Sequence, residues 1–162
     1  MRRRSAVLVS VVAILLLALT VVLWPRQDGP TTEVVAGTVN EIVTSQVVYL
    51  EGPGVFVVAT EAGFLALSDD SRHVGDRVLY CHSNDMFTSP AHGELFDRLG
   101  RYFGGPADGD LGGYETRVSG GRVLVDLATL NLPDRSTDGE EPGGPSCGGP
   151  EDPPGFYGTG TP

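Results

Sequence analysis

Lysine is absent, cysteine occurs twice, and no segment beyond the first 25 residues repeats apolar positions at sustained helical spacing. All eleven basic residues are arginine, four of them at or before Arg26, whereas all twenty-one acidic residues lie after Arg26. Nucleic-acid binding needs a concentrated basic face, which so acidic a chain lacks, and that class is excluded. The acidic excess reads as a solvated surface. Cys81 and Cys147 are too few for a disulfide-stapled scaffold, so the core is expected to hold by packing. Cys81 ends an apolar run and reads as a small buried hydrophobe. Cys147 has three open fates: a bridge to Cys81, a cross-link to another chain, or a free thiol.

Charge is also missing from Ala6 to Trp24, a run softened only by Ser10 and Thr20. As a helix at ~1.5 Å per residue it would reach about 29 Å, the thickness of a bilayer's hydrocarbon core. A cleaved export signal has a shorter apolar stretch closed by small residues, whereas this run ends Leu23-Trp24-Pro25-Arg26. The expectation is an uncleaved single-pass anchor over residues 1–26. Trp24 would sit at the interface, and Arg2, Arg3 and Arg4 would hold the N-terminus in the cytoplasm, leaving the rest on the extracytoplasmic side of the cell membrane.

A polar linker over 27–32 is followed by short apolar runs alternating with Gly and Pro turn signals. Strands are expected at Glu33–Val39, Ser45–Leu50, Gly54–Ala59, Gly63–Leu67, Arg77–Cys81, Gly93–Asp97, Arg101–Phe103, Gly113–Val118 and Arg122–Leu127. Val55–Val58 is apolar without alternation, the pattern of a strand buried on both faces. Ser119-Gly120-Gly121 is a hairpin turn. The fold class is therefore all-β, an antiparallel sandwich or small barrel over 33–128. From Pro133 onward Gly, Pro, Ser and acidic residues dominate, and 129–162 is expected to be a disordered tail with too little apolar surface to offset ordering entropy.

Three histidines, His73, His82 and His92, fall within twenty residues. A serine near a histidine in sequence makes no hydrolytic triad, because the fold must bring such groups together. The surroundings are more informative. Ser71-Arg72-His73-Val74-Gly75 resembles the first cluster-binding loop of Rieske iron-sulfur proteins, where the pattern is C-x-H-x-G. Ser89-Pro90-Ala91-His92-Gly93, followed by Phe96-Asp97, resembles the second, C-P-C-H-G with a downstream aromatic and Asp or Asn. Gly104-Gly105-Pro106-Ala107 resembles the third, Gly- and Pro-rich loop. The resemblance spans Glu33 to Leu127 and implies a Rieske-like fold on a membrane anchor, as in the respiratory branch of the family.

In that family two thiolates hold one iron of a [2Fe-2S] cluster and two imidazoles hold the other. Both imidazole positions persist here as His73 and His92, whereas both thiolate positions are serine, Ser71 and Ser89. The positions that many respiratory members join by a disulfide are Asp76 and Ala91. Two positions where such members place hydroxyl donors beside the cluster are Glu94 and Phe96. An alcohol holds its proton where a thiol releases it, and iron bridged by sulfide favours soft donors. The resemblance, read with these departures, implies no standard cluster.

Three readings result. The first is a cluster-less anchored scaffold contacting another protein in a membrane complex, not an enzyme by itself. The second is a Rieske-type electron-transfer subunit of an oxidoreductase, carrying an altered [2Fe-2S] centre with serine oxygens in place of thiolates. The third is mononuclear zinc or copper binding through His73 and His92, with Cys81 and His82 on the connecting segment.

Overall fold

The structure is a computed structural model that describes residues 32–141 together with Cys147, Gly148 and Asp152. The expected anchor, nearly all of the linker and most of the expected tail lie outside the described residues. Among the described residues, no helix is long and apolar enough to cross a membrane.

In chain order the elements are β1 (Glu33–Thr38), α1 (Val39–Ser45), β2 (Val47–Leu50), β3 (Val55–Thr60), β4 (Gly63–Ser68), β5 (Leu79–Cys81), β6 (Met86–Thr88), β7 (Leu95–Phe96), β8 (Tyr102–Gly104), β9 (Gly113–Ser119) and β10 (Arg122–Asn131). Ten strands and one short helix make the described chain essentially all-β. All pairings are antiparallel. A six-stranded sheet runs β1-β10-β9-β4-β3-β2, and a four-stranded sheet runs β5-β6-β7-β8. The smaller sheet is thus inserted between β4 and β9 and carries the three loops that matter below.

The large sheet is nearly closed, with α1 linking its two edge strands. Ile42 of α1 is fully buried and joins Ala36, Val55, Val57, Ala66, Val123 and Val125 in one core. Phe56, Val58, Leu67, Val78, Tyr80, Phe87, Phe96 and Leu111 form a second core between the large sheet and the inserted one. β3 serves both: alternate residues point to opposite faces, so Val55 and Val57 enter the first core and Phe56 and Val58 the second. This accounts for the unbroken apolar run. Gly120 and Gly121 (φ +57° and +75°) connect Ser119 to its partner Arg122. Positive φ at both central residues suits a tight hairpin.

The structure departs from the sequence reading in several places. No helix was expected after the anchor, yet α1 forms behind a capping box: Thr38 N donates to Glu41 Oε2 (2.8 Å) and Glu41 N donates to Thr38 Oγ1 (3.2 Å). At seven residues it is too short to show a periodic stripe. β6 was also unforeseen; Phe87 is fully buried within it. The strand expected to end at Leu127 runs on to Asn131, beyond the expected domain boundary at 128.

The described part of the tail makes specific contacts rather than none. Residues 132–141 adopt no helix or strand. Even so, Ser136 N donates to Asp110 Oδ1 (2.8 Å), the Arg135 guanidinium lies 4.1 Å from the Tyr102 ring centroid, and Arg101 pairs with Asp138 (3.2 Å). Composition measures apolar area, whereas this segment is held mainly by polar and cation–π contacts. Cys147 is bridged to Cys81, closing a span of 66 residues. Cys81 is therefore buried as half of a disulfide, not as a lone hydrophobe, and packing is not the core's only support.

Candidate functional site

Three loops at one end of the inserted sheet converge. The first follows β4. Asp70 and Arg77 form an isolated bridge at its base, Ser71 N donates to Asp76 O (2.9 Å), and Asp76 N donates to His73 O (3.1 Å). Arg72, Val74 and Gly75 take positive φ (60°, 50° and 72°), coiling the loop tightly. Left-handed backbone is costly for a β-branched residue such as Val74, which is 76% exposed at the tip.

The second loop joins β6 to β7. Ser89 N donates to Glu94 O (3.1 Å), and Gly93 N donates to Ser89 O (2.8 Å), with Gly93 at φ +72°. Downstream, Asp97 is buried and accepts from Leu99 N (2.8 Å), Arg101 N (3.0 Å) and Arg101 Nε (2.7 Å), pinning the strand that carries the loop.

The third loop follows β8 and covers the second. Gly105 (φ +93°) lies so close that a Cβ there would stand 2.5 Å from Gly93 O and 2.6 Å from the Cα of Glu94. Only glycine permits that approach. Tyr102 Oη donates to Gly105 O (2.6 Å), and Ala107 is fully buried beneath.

His73 and His92 meet edge to face, with ring centroids 5.3 Å apart and planes at 84°. His82, the third histidine, meets Tyr80 edge to face instead (4.7 Å between centroids). Cys81 is in a disulfide and offers no thiolate. Cys81 therefore cannot serve as a thiolate ligand beside His73 and His92.

Ser71 and Ser89 are both fully buried. Ser71 Oγ donates to His73 O (3.3 Å) and lies 3.3 Å from His73 N, closing a local turn. Ser89 Oγ donates to Asp76 Oδ2 and accepts from His92 N (3.2 Å). The hydrogen bond from Ser89, ahead of that from His92, holds the Asp76 carboxyl below its ordinary pKa. A [2Fe-2S] centre of the family type requires two thiolates on one iron. Here the matching atoms are alcohol oxygens already engaged in the loops' own hydrogen bonds, so this donor set does not fit that group.

Two carboxylates complete the cluster of side chains. Asp76 Oδ2 lies 3.2 Å from His92 Nδ1. Glu94 is fully buried. One donor atom each from Asp76, His92 and Glu94 lie within 4.8 Å of one another. In the sequence these two acids showed only as substituted family positions, because tertiary folding of separate loops makes them neighbours.

No family model matches the chain. A curated relative, the cytochrome b6-f complex iron-sulfur subunit of Chlorobaculum tepidum, is 26% identical over 100 residues, covering 62% of this chain and 52% of that protein. The chain thus spans about half the length of that relative. The crystal structure of the cyanobacterial plasma membrane Rieske protein PetC3 from Synechocystis PCC 6803 aligns with a TM-score of 0.50 and 30% identity, covering 57% of this chain and 97% of that one.

Proposed function

The chain belongs to the Rieske family, and from that premise we propose that it is a membrane-anchored Rieske-like subunit that carries no standard cluster and serves a membrane complex as a protein-binding scaffold. One observation carries this reading. The two buried hydroxyls at the thiolate positions, on Ser71 and Ser89, are spent on hydrogen bonds that hold the loops, while the fold around them is intact. An architecture kept without its ligand set suggests selection for shape.

Anchoring through residues 1–26 is supported by the uncharged run from Ala6 to Trp24 and by a relative described as a plasma membrane protein. Placement of the domain outside the cytoplasm is supported by the Cys81–Cys147 disulfide, since such bonds persist in oxidising compartments. A protein partner is supported by the relative described as a subunit of a complex.

The second reading, electron transfer through an altered [2Fe-2S] centre, is favoured by a different observation: His73 and His92 still stand side by side at the loop tips. Iron and acid-labile sulfide content, with electron paramagnetic resonance, on the full-length chain purified in detergent without air decides between them. The scaffold reading expects neither iron nor sulfide at stoichiometric level. A rhombic signal with two irons and two sulfides per chain overturns it.

A further inference from the structure

Glu94 is 0% exposed, and neither of its carboxylate oxygens has a hydrogen-bond partner among the described residues. Leaving a buried carboxylate unsatisfied is costly, and buried charges in proteins are ordinarily paired or bound to metal ions. Among the described residues no arginine or hydroxyl hydrogen-bonds to this one. What stands beside it is a second carboxylate and an imidazole: donor atoms of Glu94, Asp76 and His92 lie within 4.8 Å of one another.

We propose that Asp76, His92 and Glu94 form a mononuclear site for a first-row divalent transition cation, a site that shares only His92 with the family's cluster positions and takes its other ligands from two carboxylates. The inference rests on the reading that no cluster occupies these loops.

Several features suit a cation. Two carboxylates balance a divalent charge, and one imidazole with two carboxylate oxygens is a nitrogen and oxygen donor set of the kind such ions accept. Donors bound tetrahedrally to one ion at ~2.1 Å stand about 3.4 Å apart. Asp76 and His92 are already near that spacing (3.2 Å), and a closing movement of at most about 1.4 Å toward Glu94 brings the three onto one ion. His92, whose side chain is 42% exposed, can make that adjustment, and it gives the ion a path from solvent. The far wall is fixed: Glu94 is held under the third loop by the close approach of Gly105, and the Ser89 hydroxyl orients Asp76. An ion here would replace the 3.2 Å contact between Asp76 and His92 and would satisfy Glu94. Three protein ligands leave further positions open to water or to a group from a partner. With nitrogen and oxygen donors, affinity should rise from Mn²⁺ to Zn²⁺.

The test is equilibrium dialysis of the full-length chain, purified in detergent and stripped with chelator, against Zn²⁺ and separately Mn²⁺. The expected result is one Zn²⁺ per chain, bound more tightly than Mn²⁺. Asp76→Asn, His92→Ala and Glu94→Gln should each weaken Zn²⁺ binding at least ~10-fold, since even groups that only orient a ligand command that much. His82→Ala should leave it unchanged. The Asn and Gln variants preserve side-chain shape, and melting of each metal-free variant verifies its fold. Absence of stoichiometric binding, or binding that survives all three substitutions, overturns the site. A rhombic [2Fe-2S] signal in the untreated protein instead overturns the cluster-less reading, so the two failures are distinguishable.

Discussion

The imidazole of His73 stands edge-on to that of His92, 5.3 Å between centroids, although the two residues sit on different loops. Their meeting is produced by the backbone of the loops, by hydrogen bonds such as Ser71 N to Asp76 O and Ser89 N to Glu94 O, and owes nothing to sulfur. Restoring the thiolates should therefore restore the ligand set on a ready framework. Ser71→Cys combined with Ser89→Cys is expected to take up a [2Fe-2S] cluster on anaerobic reconstitution, read by visible absorption and by iron and sulfide content. Failure of the double variant would mean that the neighbouring Asp76 and Glu94 carboxylates have made the loops incompatible with the cluster.

The Cys81–Cys147 bridge should be a principal stabiliser. Closing a span of 66 residues lowers the entropy of the unfolded chain by an amount worth about 4 kcal/mol. Cys147→Ser is expected to lose up to ~4 kcal/mol in urea unfolding, and reductant should destabilise the parent protein but not the variant.

Contacts of the strap over 132–141 are individually smaller. Arg135 lies over Tyr102 and donates to Ala107 O, at the foot of the third loop. Arg135→Ala should cost about 1–2 kcal/mol, the sum of a cation–π contact and a hydrogen bond. It should also raise hydrogen exchange in 104–107 more than in β3.

Acid should destabilise the fold through its surface carboxylates. Glu33 is held below its ordinary pKa by the hydrogen bond from Arg117, Glu41 by the Thr38 backbone N–H, and Asp126 by the Thr32 hydroxyl. In each case the unfolded chain takes up a proton more readily than the folded one. The stability they contribute is complete above the ordinary carboxylate pKa of about 4 and disappears as pH falls through the lowered values. Melting temperature should thus hold steady from about pH 7 to 5 and drop below about 4. Glu41→Gln should make that drop shallower.

Much of the large sheet was legible because alternation, Gly and Pro breaks and the Gly120-Gly121 turn are local signals. The loop framework was legible through its motifs, and with it the meeting of the His73 and His92 rings. α1 was missed although Thr38 and Glu41 spell a capping box, since only Ile42 among its residues is buried and no stripe forms. β6 was missed because three residues between turns carry no period. The carboxylates of Asp76 and Glu94 could not be paired by spacing, and their proximity depends on how the loops close. Nor could Cys147 be paired, because nothing in a Gly- and Pro-rich segment shows where its chain returns.

The disulfide also has a topological consequence. The covalent ring from Cys81 to Cys147 contains the second and third loops but not the first. A single backbone cut anywhere between these cysteines would leave both fragments joined, so His92 and Glu94 would stay tethered to Cys81 and thence to the N-terminal part of the molecule that bears His73 and Asp76.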